Sequence, residues 1–304
     1  MLNNQKLNSG TQFAFLLVFT GVGIMLYSLF AGLIANYVMH VPPNSNLHDV
    51  LLKPGNLQYY RVIQFFSSFI VWGLPPIAVA AISGPDPIGQ LGSSDVLSAK
   101  QVFFVMIMVV FGIMFSGAFG ELNRLIPLPK ESADYFQKLE DDYNKDVMSL
   151  ANMKTTNDYI FTLIILALTP ALFEELIFRG CLQQIMISIT KKPFWGIFIT
   201  SVLFSAVHIS FYGFLSRLFL GLMLGYIFYF SKNVWLNTLV HFLNNAFAVT
   251  MIYSLSRSGK LTPGAMEDSY PLYYGLIGVT ALIALFIYFK KESDRLLLQP
   301  EQKP

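Results

Sequence analysis

The sequence predicts an all-α, polytopic membrane protein with about eight transmembrane helices. Composition, hydropathy and the length of the apolar runs predict it. Of 304 residues, 54% are hydrophobic and 12% are charged, about half the charged share usual for a soluble domain. Mean hydropathy is +0.55. Apolar runs close to the ~20 residues that a helix needs to cross a bilayer recur along the whole chain.

The predicted spans are 13–38, 60–83, 101–123, 159–189, 194–211, 213–230, 233–254 and 271–290. The first begins at Phe13 and runs longer than the apolar core of a signal peptide. No small-x-small cleavage site closes it, so it reads as a membrane helix. The fifth and sixth form one apolar region, broken only around Ser210–Gly213, with Arg217 just beyond the break. Turn chemistry separates the earlier spans: VPPNSN and KPGN, then SGPDPIGQLGSSD, dense in Gly, Pro, Ser and Asp. The sizeable extramembrane segment is 127–157. Its stretch ESADYFQKLEDDYNKDVMSL is acidic and amphipathic, which predicts a helix outside the bilayer.

Basic residues near helix ends set orientation. Lys191, Lys192, Lys232, Lys290, Lys291 and Arg295 fall on one side of an eight-span topology. That places both termini in the cytoplasm of a multi-pass protein in a bacterial-type plasma membrane. A net charge of +2 gives no basic field for nucleic acid. The single cysteine, Cys181, excludes an intrachain disulfide and any multi-cysteine metal site. The partner so implied is the lipid bilayer.

Ionisable groups inside a bilayer are costly and default to a functional hypothesis. The span 159–189 reads ALTPALFEELIFRGCLQQ and carries Glu174, Glu175 and Arg179. Adjacent residues on a helix diverge by about 100°. Glu175 and Arg179, four apart, pair on one face, and Glu174 is left on another, free to serve a cavity. Pro170 removes a backbone hydrogen bond just upstream. Cys181, seven after Glu174, falls near the same face. His208 follows in FSAVH, and His241 and Asn245 share a face in HFLNN. If 159–189 and 194–211 form a hairpin turning near residue 192, Glu174 and His208 lie level, each about 25 Å along its helix. His40 and His48 sit in or beside a polar loop and take no role.

This set permits two chemistries. Glu174 beside a histidine can activate water as a general base, with His241 and Asn245 donating to an oxyanion. Alternatively, Glu174, His208 and His241 supply the His₂Glu ligands of a catalytic zinc, with Asn245 outside the ligand set. HExxH and GxSxG are absent, which removes a ready-made zincin helix and a serine-hydrolase elbow. Cys181 lies in apolar surroundings that leave a thiol inert. A transporter with Glu174 as proton relay needs inverted repeats, and none is present.

EELIFR (Glu174–Arg179) resembles the EExxxR motif of the CAAX protease and bacteriocin-processing family of intramembrane peptidases. FSAVH (Phe204–His208) resembles its FxxxH motif, and HFLNN (His241–Asn245) its HxxxN motif. The likeness covers about residues 160–250. It implies an eight-helix-type intramembrane endopeptidase, labelled a metalloprotease in the family although a metal-free mechanism has also been argued. By the resemblance Glu174 is the base, His208 helps hold the water, His241 and Asn245 hold the oxyanion, and Glu175 with Arg179 supports them. Zinc, if the enzyme depends on it, sits on Glu174, His208 and His241. The chain then divides into 1–157, N-terminal helices with the acidic segment, 158–254, the catalytic core, and 255–304, the last helix with a short basic tail, all one membrane domain. The alternative is a non-enzymatic membrane scaffold or bacteriocin-immunity protein of the same fold.

Overall fold

The computed structural model describes residues 7–150, 153, 155–261 and 271–298. Parts of the acidic segment and of the section 255–304 therefore lie outside the described residues. Those described are all-helical, without strands. We name the principal helices α1 (Ser9–Val38), α2 (Leu57–Ser83), α3 (Ala99–Arg124), α4 (Lys130–Leu150), α5 (Thr156–Thr190), α6 (Pro193–Ala206), α7 (Phe214–Ser231), α8 (Val234–Arg257) and α9 (Leu272–Leu297). All but α4 and α6 are long and apolar enough to cross a membrane, which makes seven among the described residues.

The predicted span 194–211 is corrected. Its helix stops at Ala206 after 14 residues, about 21 Å, against a hydrocarbon core of about 30 Å. Side chains hold the chain out of the helix there. Asn123 of α3 donates to Phe211 O at 2.8 Å and accepts from Leu215 N at 3.0 Å. Ser205 Oγ donates to Phe214 O at 2.7 Å, and Ile209 takes a left-handed φ of 51°. His208 therefore lies in a loop just past α6, not on a membrane helix as the motif reading expected.

The chain alternates between two faces. Ser9 meets Ser188 at 2.6 Å, so the start of α1 and the α5–α6 turn share a face. The loop before α3 joins them, because Asn233 at the α7–α8 turn donates to Ser94 O and Val96 O. Ser98 and Gln101 at the start of α3 bond Glu292 and Ser293 near the end of α9. The amphipathic α4 lies on the opposite face.

Small residues set the spacing of the core. Without a hydrophobic drive between helices in lipid, close backbone approach and interhelical hydrogen bonds hold a bundle. On α7, a Cβ at Gly221 would stand 2.9 Å from Ser201 Cβ, and one at Gly225 would stand 2.6 Å from Ile197 Cγ2. The same two glycines present their carbonyls to α5. Arg179 Nη2 reaches Gly221 O at 3.3 Å and Gln183 Nε2 reaches Gly225 O at 2.9 Å.

Helix α5 is not a regular α-helix. Ile164–Leu168 and Leu176–Gln183 are π-helical. The first π segment precedes Pro170, whose missing N–H cannot close an α-type bond. Thr169 Oγ1 donates instead to Ile164 O at 2.8 Å. The second follows the glutamate pair directly, and such insertions gather at functional sites.

A candidate active site in a cavity open to the α4 face

Glu174 and Glu175 are neighbours with different surroundings. Glu175 is fully buried, as is Arg179, and its Oε1 accepts from Arg179 Nη1 at 3.1 Å. The same oxygen lies 2.9 Å from His241 Nδ1. The Arg179 guanidinium stacks on Phe204, with Cζ 4.5 Å from the ring centroid. Thus a guanidinium and a carboxylate on α5 and an imidazole from α8 stand in series, enclosed by protein. This is the partnering that buried charge requires.

Glu174 turns the other way. Its Oε2 is buried and has no hydrogen-bond partner among the described residues. It lies 3.9 Å from His208 Nε2 and 4.0 Å from His241 Nε2. The far nitrogen of each ring is occupied. His208 Nδ1 lies 2.7 Å from Phe204 O, and a carbonyl only accepts, so Nδ1 carries the proton. His241 Nδ1 donates likewise to the Glu175 carboxylate. In the neutral rings both Nε2 lone pairs therefore face Glu174.

These atoms line a cavity of about 490 Å³ with Pro170, Phe204, Arg217, Asn244 and Asn245. Tyr60 and Gln64 of α2 and Tyr143 and Asp146 of α4 complete its wall toward the α4 face. So the structure brings Glu174, His208, His241 and Asn245 to one cavity, and places Glu175 and Arg179 behind it. Cys181 is elsewhere. It packs against Val79, Ala80 and Leu91 and lines a separate pocket with Gln12 and Gln184. The π segment between Glu174 and Cys181 shifts the facing that α-helical spacing predicted, so Cys181 does not share Glu174's cavity.

The donor chemistry is that of a His₂Glu zinc site, but the spacing is wider. Zinc with bonds of about 2.0–2.1 Å sets tetrahedral ligands about 3.3–3.4 Å apart. The separations here are 3.9 and 4.0 Å, and no group of three or more His, Cys, Asp or Glu among the described residues closes around one metal point. A water fits better, since an oxygen about 2.8 Å from two polar atoms spans such a gap when the angle between them is near 90°.

Arg217, Asn244, Tyr143, Asp146 and the loop-holding Asn123 were not among the sequence-predicted site residues. Arg217 was visible as a charge beside the break in an apolar region. The others sit among ordinary polar residues, and only the tertiary fold brings them to the site.

Residues 156–247 match the family model of the type II CAAX prenyl endopeptidase Rce1-like proteins. No curated protein and no solved structure shows significant similarity to the chain. The matched segment holds every residue of the Glu174 cluster, and over it the chain is similar to the type II CAAX prenyl endopeptidases.

Proposed function

We propose that this protein is an intramembrane endopeptidase that hydrolyses a peptide bond of a membrane-associated protein or peptide. The observation that carries this reading is Glu174 Oε2, buried and without a hydrogen-bond partner among the described residues, facing the free nitrogens of two histidines across a water-sized gap. Glu174 takes one proton of a bound water, and His208 Nε2 accepts the hydrogen bond of the other. The water oxygen attacks the substrate carbonyl carbon. The developing oxyanion is met by the Asn245 amide and, once the ring has taken up a second proton from solvent, by His241 Nε2. Glu175 behind the ring balances that charge, and Arg179 holds Glu175. As the C–N bond breaks, Glu174 returns its proton to the leaving amine. In this scheme no step passes through a metal.

The cavity wall includes α4, so substrate reaches the site from the face opposite Lys191 and Lys192. With both termini cytoplasmic, that is the outer face of the membrane.

The test is cleavage of quenched fluorescent peptides by the purified protein in lipid nanodiscs. The expected result is turnover that falls about 10²–10⁴-fold in Glu174→Gln, with Glu174→Gln unfolding at the wild-type temperature. Equal turnover in the two proteins would overturn the reading. Elemental analysis of the same samples checks the spacing argument. Zinc well below one per chain is expected. One zinc per chain, lost in Glu174→Ala, His208→Ala and His241→Ala, would replace the water-bridge scheme by a metal-bound water.

A further inference from the structure

The catalytic cavity adjoins a second pocket of about 390 Å³, and Arg217, Asn244 and Ala248 line both. Arg217 stands at the junction. Its Nη1 is buried and has no hydrogen-bond partner among the described residues. The guanidinium lies against Gly213, where a Cβ would stand 2.2 Å from Nη1. A side chain at 213 would expel the guanidinium from this position. The acidic groups of the second pocket are engaged elsewhere. Glu121 Oε1 is 3.8 Å from Arg124 Nη1, and Glu140 Oε2 accepts from Ser210 Oγ at 3.4 Å.

A guanidinium presents a planar fork of donors that matches a carboxylate, and leaving one of its donor nitrogens buried and unbonded, as Arg217 Nη1 is in this half-buried side chain, is costly. Every other arginine described in the core has an acidic or carbonyl partner: Arg179 has Glu175 and Gly221 O, and Arg61 has Asp158 at 3.4 Å. We propose that Arg217 is the anchor of a carboxylate-binding subsite, so that the enzyme selects peptides carrying a carboxylate a short distance from the bond it cuts. Asn244, on the shared wall, adds an amide donor beside it. The carboxylate comes either from an acidic side chain or from a free peptide C-terminus. Arg217 is a specificity-determining residue here, separate from the group that activates water. This inference rests on the proposed peptidase reading.

The experiment uses one fluorogenic peptide library in three formats: free C-terminal carboxylate, C-terminal amide, and C-terminal amide with one aspartate. The full-length protein in nanodiscs is assayed as wild type, Arg217→Gln and Arg217→Lys. In wild type, at least one carboxylate format is expected to exceed the plain amide by about tenfold or more in kcat/KM. Arg217→Gln levels the formats while still cutting the plain amide, and Arg217→Lys keeps part of the preference. The favoured format identifies the source of the carboxylate. Equal rates for all formats in wild type, or a preference that persists in Arg217→Gln, would overturn the subsite.

Binding to the non-cleaving Glu174→Gln protein, read by fluorescence polarisation, tests the subsite independently of turnover. The same tenfold preference, lost in Glu174→Gln/Arg217→Gln, supports the subsite even if wild type cuts nothing, an outcome that would sink the peptidase reading alone. Preference-free binding would sink the subsite.

Discussion

The two ends of the α5–α8 core are made from similar residues and come out differently. Toward the termini, the helices are in backbone contact. A Cβ on Gly196 would lie 2.6 Å from Ile187 N, and Asn237 reaches Leu224 O at 2.6 Å. Toward the α4 face, α6 stops at Ala206, and Phe204 and His208 at that stop line the Glu174 cavity. Unbonded polar atoms occur at both ends. At the packed end they include the neutral amide oxygens Gln183 Oε1 and Asn237 Oδ1. Glu175 Oε2 and Arg179 Nε are also unbonded, but their groups are paired with each other through Oε1 and Nη1, whereas Glu174 Oε2 and Arg217 Nη1 belong to charged groups that line the cavity without a hydrogen-bonded partner among the described residues. A packed membrane core tolerates an idle amide far better than an idle charge. Charge retained without a protein partner therefore marks where something else is to be bound.

The most severe way to break this contrast is to unpair the charge that is partnered. Glu175→Ala leaves Arg179 buried without its carboxylate and His241 Nδ1 without its acceptor. The expected cost is about 3–5 kcal/mol, as for other buried ion pairs that lose one member. Thermal unfolding in detergent reads it. The double variant Glu175→Leu/Arg179→Met removes both charges and is expected to recover most of the stability while remaining inactive, because His241 is no longer held. An unchanged unfolding temperature in Glu175→Ala would show that the series of paired charges behind the cavity contributes nothing to the fold.

A milder break acts on the packed end. Gly196→Val places a branched side chain against the Ile187 backbone, which cannot retreat as a flexible side chain does. Overpacking of this kind costs typically about 1–3 kcal/mol. Because the cavity lies at the other end, the expected loss is in stability with kcat unchanged. A fall in kcat at full stability would mean that the two ends are mechanically coupled.

Much of this contrast was legible in the sequence. Glu174, Glu175, Arg179, His208, His241 and Asn245 stood out because charge and imidazole are rare in apolar runs. Level depth then brought Glu174 and His208 together on paper, and they lie 3.9 Å apart in the structure. What stayed hidden depended on backbone irregularity and on long-range partners. Nothing in ITSVLFSAVHIS announces that the helix ends at Ala206, since the stop is imposed by Asn123 from α3, remote in sequence. Nor does α-helical spacing foresee the π segment that turns Cys181 away from Glu174. Periodicity reports the regular case, and this site is built on departures from it.

The mildest break concerns α4, which closes the cavity on its open face through Tyr143 and Asp146. Among the described residues its attachments include three side-chain contacts, one of them the hydrogen bond from Ser210 Oγ to Glu140 Oε2 at 3.4 Å. His48 Nε2 lies 3.0 Å from Asp146 Oδ2, with side chains 48% and 24% exposed, and Phe136 stacks on Phe211 at a centroid distance of 4.9 Å. An exposed pair of this sort contributes at most about 1 kcal/mol, which corresponds to roughly a fivefold change in an opening equilibrium. His48→Ala is therefore expected to speed hydrogen exchange over 130–150 by up to about that factor and to change KM more than kcat, since α4 governs access rather than chemistry. Lys145→Ala, which removes only the exposed pairing with Asp142 on the same helix, supplies the contrast. If the two variants exchange alike, the His48–Asp146 contact does not hold α4 over the cavity, and access to Glu174 is controlled by another element of its wall.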